Sequence, residues 1–268
     1  MKNLPKEFRF SKKLGQNFLI DNSVPSQIAE QAEIDGKDVL EIGPGIGALT
    51  LELAKRADRV LCLELDRLLI EPLNTVLAAE RVTNTVALNR DVMKTDLRAL
   101  IAEHFSGASE PVVCANLPYA ITTPVISRLI DSGLFASLTL MVQLEVAERI
   151  CAAAGTKAYG AFSVYCQYYT VPELLFTVPP EAFMPRPKVT SAVIRLRPRT
   201  AEHADEKALF RLVKSAFGQR RKTLVNALSA SFEKERVLAA LERLNFPADI
   251  RGERLSVSDF IRLTEFLA

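Results

Sequence analysis

The chain has 268 residues, of which 49% are hydrophobic, 25% charged and 7% aromatic, with no Trp; 34 basic and 32 acidic residues leave a formal charge of +2. That apolar share excludes a disordered chain, and the length suits one large and one small domain with a core that needs no disulfide or metal. The near-neutral total points by itself to no nucleic-acid partner.

The first residues, MKNLPKEFRFSKK, are charged and lack the apolar segment of a signal peptide. From about residue 36 to 197, short β-type runs at 39–42, 60–63, 86–88, 112–115, 138–142 and 192–196 alternate with amphipathic stretches at 48–57, 66–79, 125–131 and 144–153. That alternation predicts an α/β fold with a parallel sheet covered on both faces. Two further runs, 163–169 and 173–178, read as extra strands separated by Pro172. The character changes near 198–205. From Lys207 the chain reads as helix, with Leu209, Leu212, Val213, Ala216 and Phe217 on one face, then Val237, Leu238, Leu241 and Leu244 on another. Ser256 and Asp259 have capping-box spacing before a last helix at 260–267. The expected domains are therefore 1–200, with an N-terminal arm at 1–22, and a small helical domain at 201–268.

Cys62, Cys114, Cys151 and Cys166 stand far apart in apolar stretches, with only His104 and His203 to accompany them. They predict buried thiols rather than a disulfide framework or a metal site. No run of 18 apolar residues occurs, because Gln143 and Glu145 interrupt the best candidate, 138–146. The expectation is a cytoplasmic protein with no membrane association.

The first strand runs into Glu41, Gly43, Gly45, Gly47 and Ala48, then a helix. Glycines there let the backbone turn sharply and approach a ligand, and Glu64 follows Gly43 by 21 residues, the distance at which a carboxylate meets ribose hydroxyls. A relaxed dinucleotide loop and an S-adenosylmethionine loop both fit this pattern. After the fourth strand come Asn116, Leu117, Pro118 and Tyr119, at the strand end where α/β sheets put ligands. An adenine exocyclic amine is a poor nucleophile because its lone pair is delocalised into the ring. An Asn oxygen and a main-chain carbonyl that accept both its N–H groups favour a tetrahedral nitrogen. Pro118 restricts Leu117 to extended conformations, and Tyr119 can stack on a base drawn out of its helix.

Taken together, these segments resemble the ribosomal RNA small-subunit adenine N6,N6-dimethyltransferases. The resemblance is carried by residues 12–21, the Gly43 loop, 64–66, 89–91, 116–119 with Thr123 and Pro124, 143–149, 183–189 with 191–193, and 217–224, which span nearly the whole chain in order. It implies a Rossmann-like class I S-adenosylmethionine methyltransferase domain and a helical domain that contacts RNA and the ribosome. It implies dimethylation of N6 on two adjacent adenines in the 3′-terminal hairpin of 16S rRNA, late in small-subunit assembly. The cofactor is S-adenosyl-L-methionine, leaving S-adenosylhomocysteine, with no metal; the partner is 16S rRNA in an immature small ribosomal subunit, and the enzyme is a monomer. By the same resemblance, Asn17, Leu19, Gly43, Gly45, Glu64, Asp91 and Asn116 contact the cofactor, Asp91 through its adenine amine. Asn116, Leu117, Pro118 and Tyr119 hold the target base, with Phe183 as a second aromatic wall. Lys12, Lys13, Arg186, Lys188, Arg220, Arg221 and Lys222 face RNA phosphates. Ala115, Ala120 and Arg90 depart from the commoner pattern and bear on local fit.

Two other readings compete: an assembly or quality-control factor whose binding outweighs its catalysis, and a methyltransferase acting on a large-subunit adenine. Leu117 and the 183–189 loop speak against the second. Charge is also segregated. Residues 31–183 carry a net −7 and the remaining segments together +9, so a neutral total conceals a basic, RNA-facing rim.

Overall fold

A computed structural model describes residues 17–105, 110–200 and 205–267, so Lys12, Lys13 and His203 lie outside the described residues. The chain divides into two compact units, residues 1–147 with 173–198, and residues 148–172 with 199–268.

In the first unit, β1 (Phe18–Leu19) precedes α1 (Ser23–Gln31), and then strands and helices alternate. They are β2 (Asp38–Ile42), α2 (Ala48–Ala54), β3 (Arg59–Glu64), α3 (Ile70–Ala79), β4 (Thr85–Asn89), α4 (Leu97–His104), β5 (Val112–Asn116), α5 (Thr122–Ser132) and β6 (Ser137–Gln143). After α6 (Leu144–Cys151) and α7 (Ala161–Tyr169) the chain returns through β7 (Thr170–Val178), β8 (Phe183–Met184) and β9 (Ser191–Pro198). One seven-stranded sheet runs β4-β3-β2-β5-β6-β9-β7. β2 pairs in parallel with β3 and β5, and β9 pairs antiparallel with β6. All five residues of β2 and the first four of β5 are buried, as expected for strands covered on both faces. Strand order reverses between β2 and β5, so their carboxyl ends open a crevice where an open α/β sheet takes its ligand. β1 and β8 form a separate antiparallel pair, with Leu19 opposite Phe183.

All six runs expected as sheet strands are strands. The run at 163–169 is not; it lies in α7. Its Val, Tyr and Cys content imitates a strand, but the Gly160 N–H donates to the Ser163 hydroxyl at 3.0 Å and starts a helix. Val164 and Tyr168, four apart, then share its buried face.

The second unit joins α7 to α8 (Glu206–Gly218), α9 (Leu224–Leu228), α10 (Lys234–Arg243) and α11 (Val257–Leu267). Leu209, Leu212, Val213 and Ala216 of α8 pack with Val237, Leu241, Phe260 and Leu263, joined by Tyr159 and Tyr168 from the 148–172 segment. The 148–172 segment thus shares the core of the C-terminal helices. The capping box is present: the Ser256 N–H donates to Asp259 Oδ2 at 3.0 Å and the Asp259 N–H to Ser256 Oγ at 3.2 Å. Cys62, Cys114 and Cys166 are buried and Cys151 is half-buried, and none of the four is in a disulfide.

Candidate active site

The loop between β2 and α2 takes left-handed backbone at Gly43, Gly45 and Gly47, with φ of 70°, 60° and 92°. At Gly45 two constraints coincide, since a Cβ there would also lie 2.9 Å from the Phe18 ring. The Gly45 N–H donates to Glu64 Oε2 at 3.1 Å, and the Asp66 N–H donates to Oε1 at 2.8 Å. Burial raises the Glu64 carboxyl above its ordinary range, against the lowering effect of those two N–H groups. Beneath the loop, Glu41 is fully buried and accepts the Cys62 thiol at 3.3 Å. Burial pushes it up to about 7.

The ends of β3 and β4 are tied together by Asn89, whose side-chain amide donates to the carbonyls of Glu64 and Leu65 at 2.9 and 3.1 Å. Asp91 accepts the Met93 N–H at 2.9 Å, which fixes the carboxylate at the β4 end. The segment after Asp91 is held from α5, where Arg128 donates to the carbonyl of Val92 at 2.8 Å and to that of Thr95. Sequence reasoning singled out neither the Asn89 side chain nor Arg128. Their partners lie 24 to 36 residues away, and no local pattern marks such bonds.

At the β5 end, Asn116 donates through Nδ2 to the Asn17 carbonyl at 3.3 Å. That commitment leaves its Oδ1 as an acceptor. The Leu117 N–H is used by the Met141 carbonyl at 3.1 Å, and Thr122 Oγ1 donates to the Pro118 carbonyl at 3.2 Å. The half-buried Tyr119 shares a hydrogen bond of 2.7 Å with Ser191 Oγ, and burial raises its phenol above the ordinary range.

The glycine loop and the carboxyl ends of β3, β4 and β5 line one cleft. It brings together Asn17, Leu19, Gly43, Gly45, Glu64, Asp91, Asn116, Leu117, Pro118 and Tyr119. Arg90 and Ala120, two of the positions that depart from the family pattern, also reach it. Phe183 does not line this cleft. It is 2% exposed and packs in the core, because strand alternation in β8 turns Phe183 inward and leaves Met184 41% exposed. The aromatic ring against the glycine loop is Phe18, which sequence reasoning placed only within a matching segment.

The basic residues divide by their partners. Arg186 is paired with Glu181. Arg220 donates to Glu253 at 2.8 Å and to the Lys157 carbonyl, within the helical unit. Lys188, Arg221 and Lys222 are exposed and have no ion pair among the described residues. Arg195 and Arg197, which contribute to the basic segment 184–200, are both bonded to Glu33 and Glu173. Among the described residues no cluster of three potential metal ligands occurs, and no helix is long and apolar enough to cross a membrane.

A family model described as "Ribosomal RNA adenine dimethylase" matches residues 7–268. The chain is 46% identical to a protein of Alkaliphilus metalliredigens named "Ribosomal RNA small subunit methyltransferase A", covering 98% of this chain and 93% of that protein. It is also 46% identical to one of the same name from Ligilactobacillus salivarius, covering 96% and 90%. Among solved structures, a dimethyladenosine transferase from Plasmodium falciparum superposes with a TM-score of 0.76 at 26% identity, covering 92% of this chain and 95% of that one. The 23S rRNA methyltransferase ErmE superposes with a TM-score of 0.73 at 27% identity, covering 93% and 99%.

Proposed function

The chain belongs to the ribosomal RNA adenine dimethylase family, and from that membership we propose that it dimethylates N6 of two adjacent adenines in the 3′-terminal hairpin of 16S rRNA. It does so as a cytoplasmic monomer, late in the assembly of the small subunit. The observation that carries the reading is the Asn116 amide, whose donor side is spent on Asn17 at 3.3 Å and whose acceptor side is left for an amine.

The cleft fits S-adenosyl-L-methionine. Left-handed glycines leave a backbone cradle without side chains, and carboxylates stand at the ends of β3 and β4. Asn17, Leu19, Gly43, Gly45, Glu64, Asp91 and Asn116 would hold it, Glu64 by the ribose hydroxyls and Asp91 by the adenine amine. Both Glu64 oxygens already accept main-chain N–H groups and keep a second lone pair each. The cofactor supplies an activated methyl group on a positively charged sulfur.

Asn116 Oδ1 and the Leu117 carbonyl accept the two N–H groups of the target amine, which makes its lone pair available. Tyr119 stacks on the flipped base, with Pro118 fixing the turn between them. The groups are set before the substrate arrives, so they act by position and fixed dipoles rather than by a covalent link to the enzyme. Lys188, Arg221 and Lys222 contact phosphates, as would Lys12 and Lys13. Arg186 and Arg220 join them only by leaving their carboxylate partners.

Small-subunit rRNA is preferred over large-subunit rRNA because the 46% identical relatives carry the small-subunit name, against 27% for ErmE. The test is methyl transfer to small subunits that lack this modification, with mass spectrometry and position mapping across both rRNAs. Dimethyladenosine at two neighbouring 16S positions is expected. No incorporation, or incorporation only into 23S rRNA, overturns the reading. If Asn116→Ala abolishes transfer but leaves subunit maturation normal, binding rather than methylation is the main contribution.

A further inference from the structure

Tyr119 is fixed at both ends. Its main chain follows Pro118 in a short 3₁₀ turn, and its hydroxyl meets Ser191 Oγ at 2.7 Å, an ordinary length for a well-formed O–H···O bond. Ser191 is fully buried as the first residue of β9, and its backbone lies opposite Gln143 of β6. The ring between these two anchors is half-buried and lines the cleft beside Asn116 and Leu117. Ser191 lies outside the cleft lining and 72 residues from Tyr119, so it touches the reaction only through that phenol.

We infer that Ser191 is a positioning residue that sets the plane of the Tyr119 ring for the target adenine. A phenol held only at Cα keeps torsional freedom that a stacking base must remove on binding. One held at its tip from a sheet strand has lost that freedom already. The cost therefore falls on capture of the base and on the reacting geometry, and leaves the cofactor side of the cleft unchanged. The inference rests on the proposed role of Tyr119 in stacking.

The experiment is a double-mutant cycle on the full-length enzyme with Ser191→Ala, Tyr119→Phe and the two combined, using undermethylated small subunits as substrate. Each single variant is expected to lower kcat/KM for methyl transfer by about 3–10-fold, the cost of ordering one side chain. The combined variant should fall no further than either single one, and S-adenosylhomocysteine affinity should stay at the wild-type value in all three. Tyr119→Phe removes the bond while keeping Ser191, so it remains informative if Ser191→Ala lowers the melting temperature. Independent, multiplying losses, or wild-type kcat/KM in both single variants, overturn the inference. Loss of transfer in wild-type enzyme itself overturns the functional reading instead, and a large defect in Tyr119→Ala with none in Ser191→Ala keeps that reading while removing the role of Ser191.

Discussion

Asn116 Nδ2 donates to the carbonyl of Asn17 across 99 residues of sequence, at 3.3 Å. The bond ties the end of β5 to the segment entering β1, so one contact orients the amide and joins two sides of the cleft. Asn116→Ala removes both the acceptor and the tie. Transfer should fall by about 10²-fold or more, the usual cost of deleting one oriented group at a reacting centre. Asn116→Asp keeps an acceptor but sets a carboxylate oxygen against the Asn17 carbonyl. It should also lose most activity, although its shape is nearly unchanged. Initial rates of methyl incorporation check both, and wild-type rates in Asn116→Asp would remove the orienting role of Asn17.

Gly45 combines a φ of 60° with a position 2.9 Å from the Phe18 ring for any added Cβ. Gly45→Ala therefore incurs backbone strain of about 1–3 kcal/mol and pushes Phe18 away. Affinity for S-adenosylhomocysteine, read by calorimetry, should fall about tenfold or more. Adding Phe18→Ala should restore part of it, because the two effects share one contact. No change in affinity in Gly45→Ala would show that the loop does not form the cofactor cradle.

The strands from β2 to β6 and the loop after β2 were legible because a short apolar run that stops at a Gly or at a polar Glu, Asn or Gln carries its own local signal. The lining of the cleft was legible through Asn116–Tyr119, since chain order puts it at a strand end. What escaped was long-range or ambiguous. The sequence 163–169 is rich in residues that serve a strand or a buried helix face, and only the Gly160–Ser163 start distinguishes them. Phe183 has aromatic character suited to a wall, yet its side is fixed by the register of β8 against β1. Arg195 and Arg197 count as basic in any tally, while Glu33, more than 160 residues away, engages both.

Glu41 makes the stability of the first unit depend on pH. Its carboxyl is pushed from the ordinary 4.5 to about 7 by burial, with Cys62, Cys114 and Glu64 around it. Between those values the folded chain holds a proton that the unfolded chain lacks. This contribution to stability is present in full below about pH 4.5 and lost as pH rises through about 7. The difference corresponds to about 3 kcal/mol. Glu41→Gln stays neutral and keeps an acceptor for the Cys62 thiol. Its melting temperature should exceed wild type at pH 8, and the gap should close towards pH 5. Parallel curves for the two proteins across that range would show that Glu41 is not the titrating group.

The exposed cations should separate into those that meet RNA and those that hold the fold. Lys188, Arg221 and Lys222 have no ion-pair partner among the described residues, whereas Arg220 is bonded to Glu253 and to the Lys157 carbonyl. Each phosphate contact releases condensed counterions, so removing one lowers the slope of log affinity against log salt by about 1. Alanine at Lys188, Arg221 or Lys222 should lower that slope with little effect on melting temperature. Alanine at Arg220 should leave the slope unchanged and cost up to about 1 kcal/mol of stability, as expected of a half-exposed pair. Titrations with a 16S 3′-terminal RNA fragment at several potassium chloride concentrations distinguish the two groups. A slope change for Arg220 equal to that for Lys222 would mean that RNA displaces Glu253, making the internal clamp part of the RNA-binding surface.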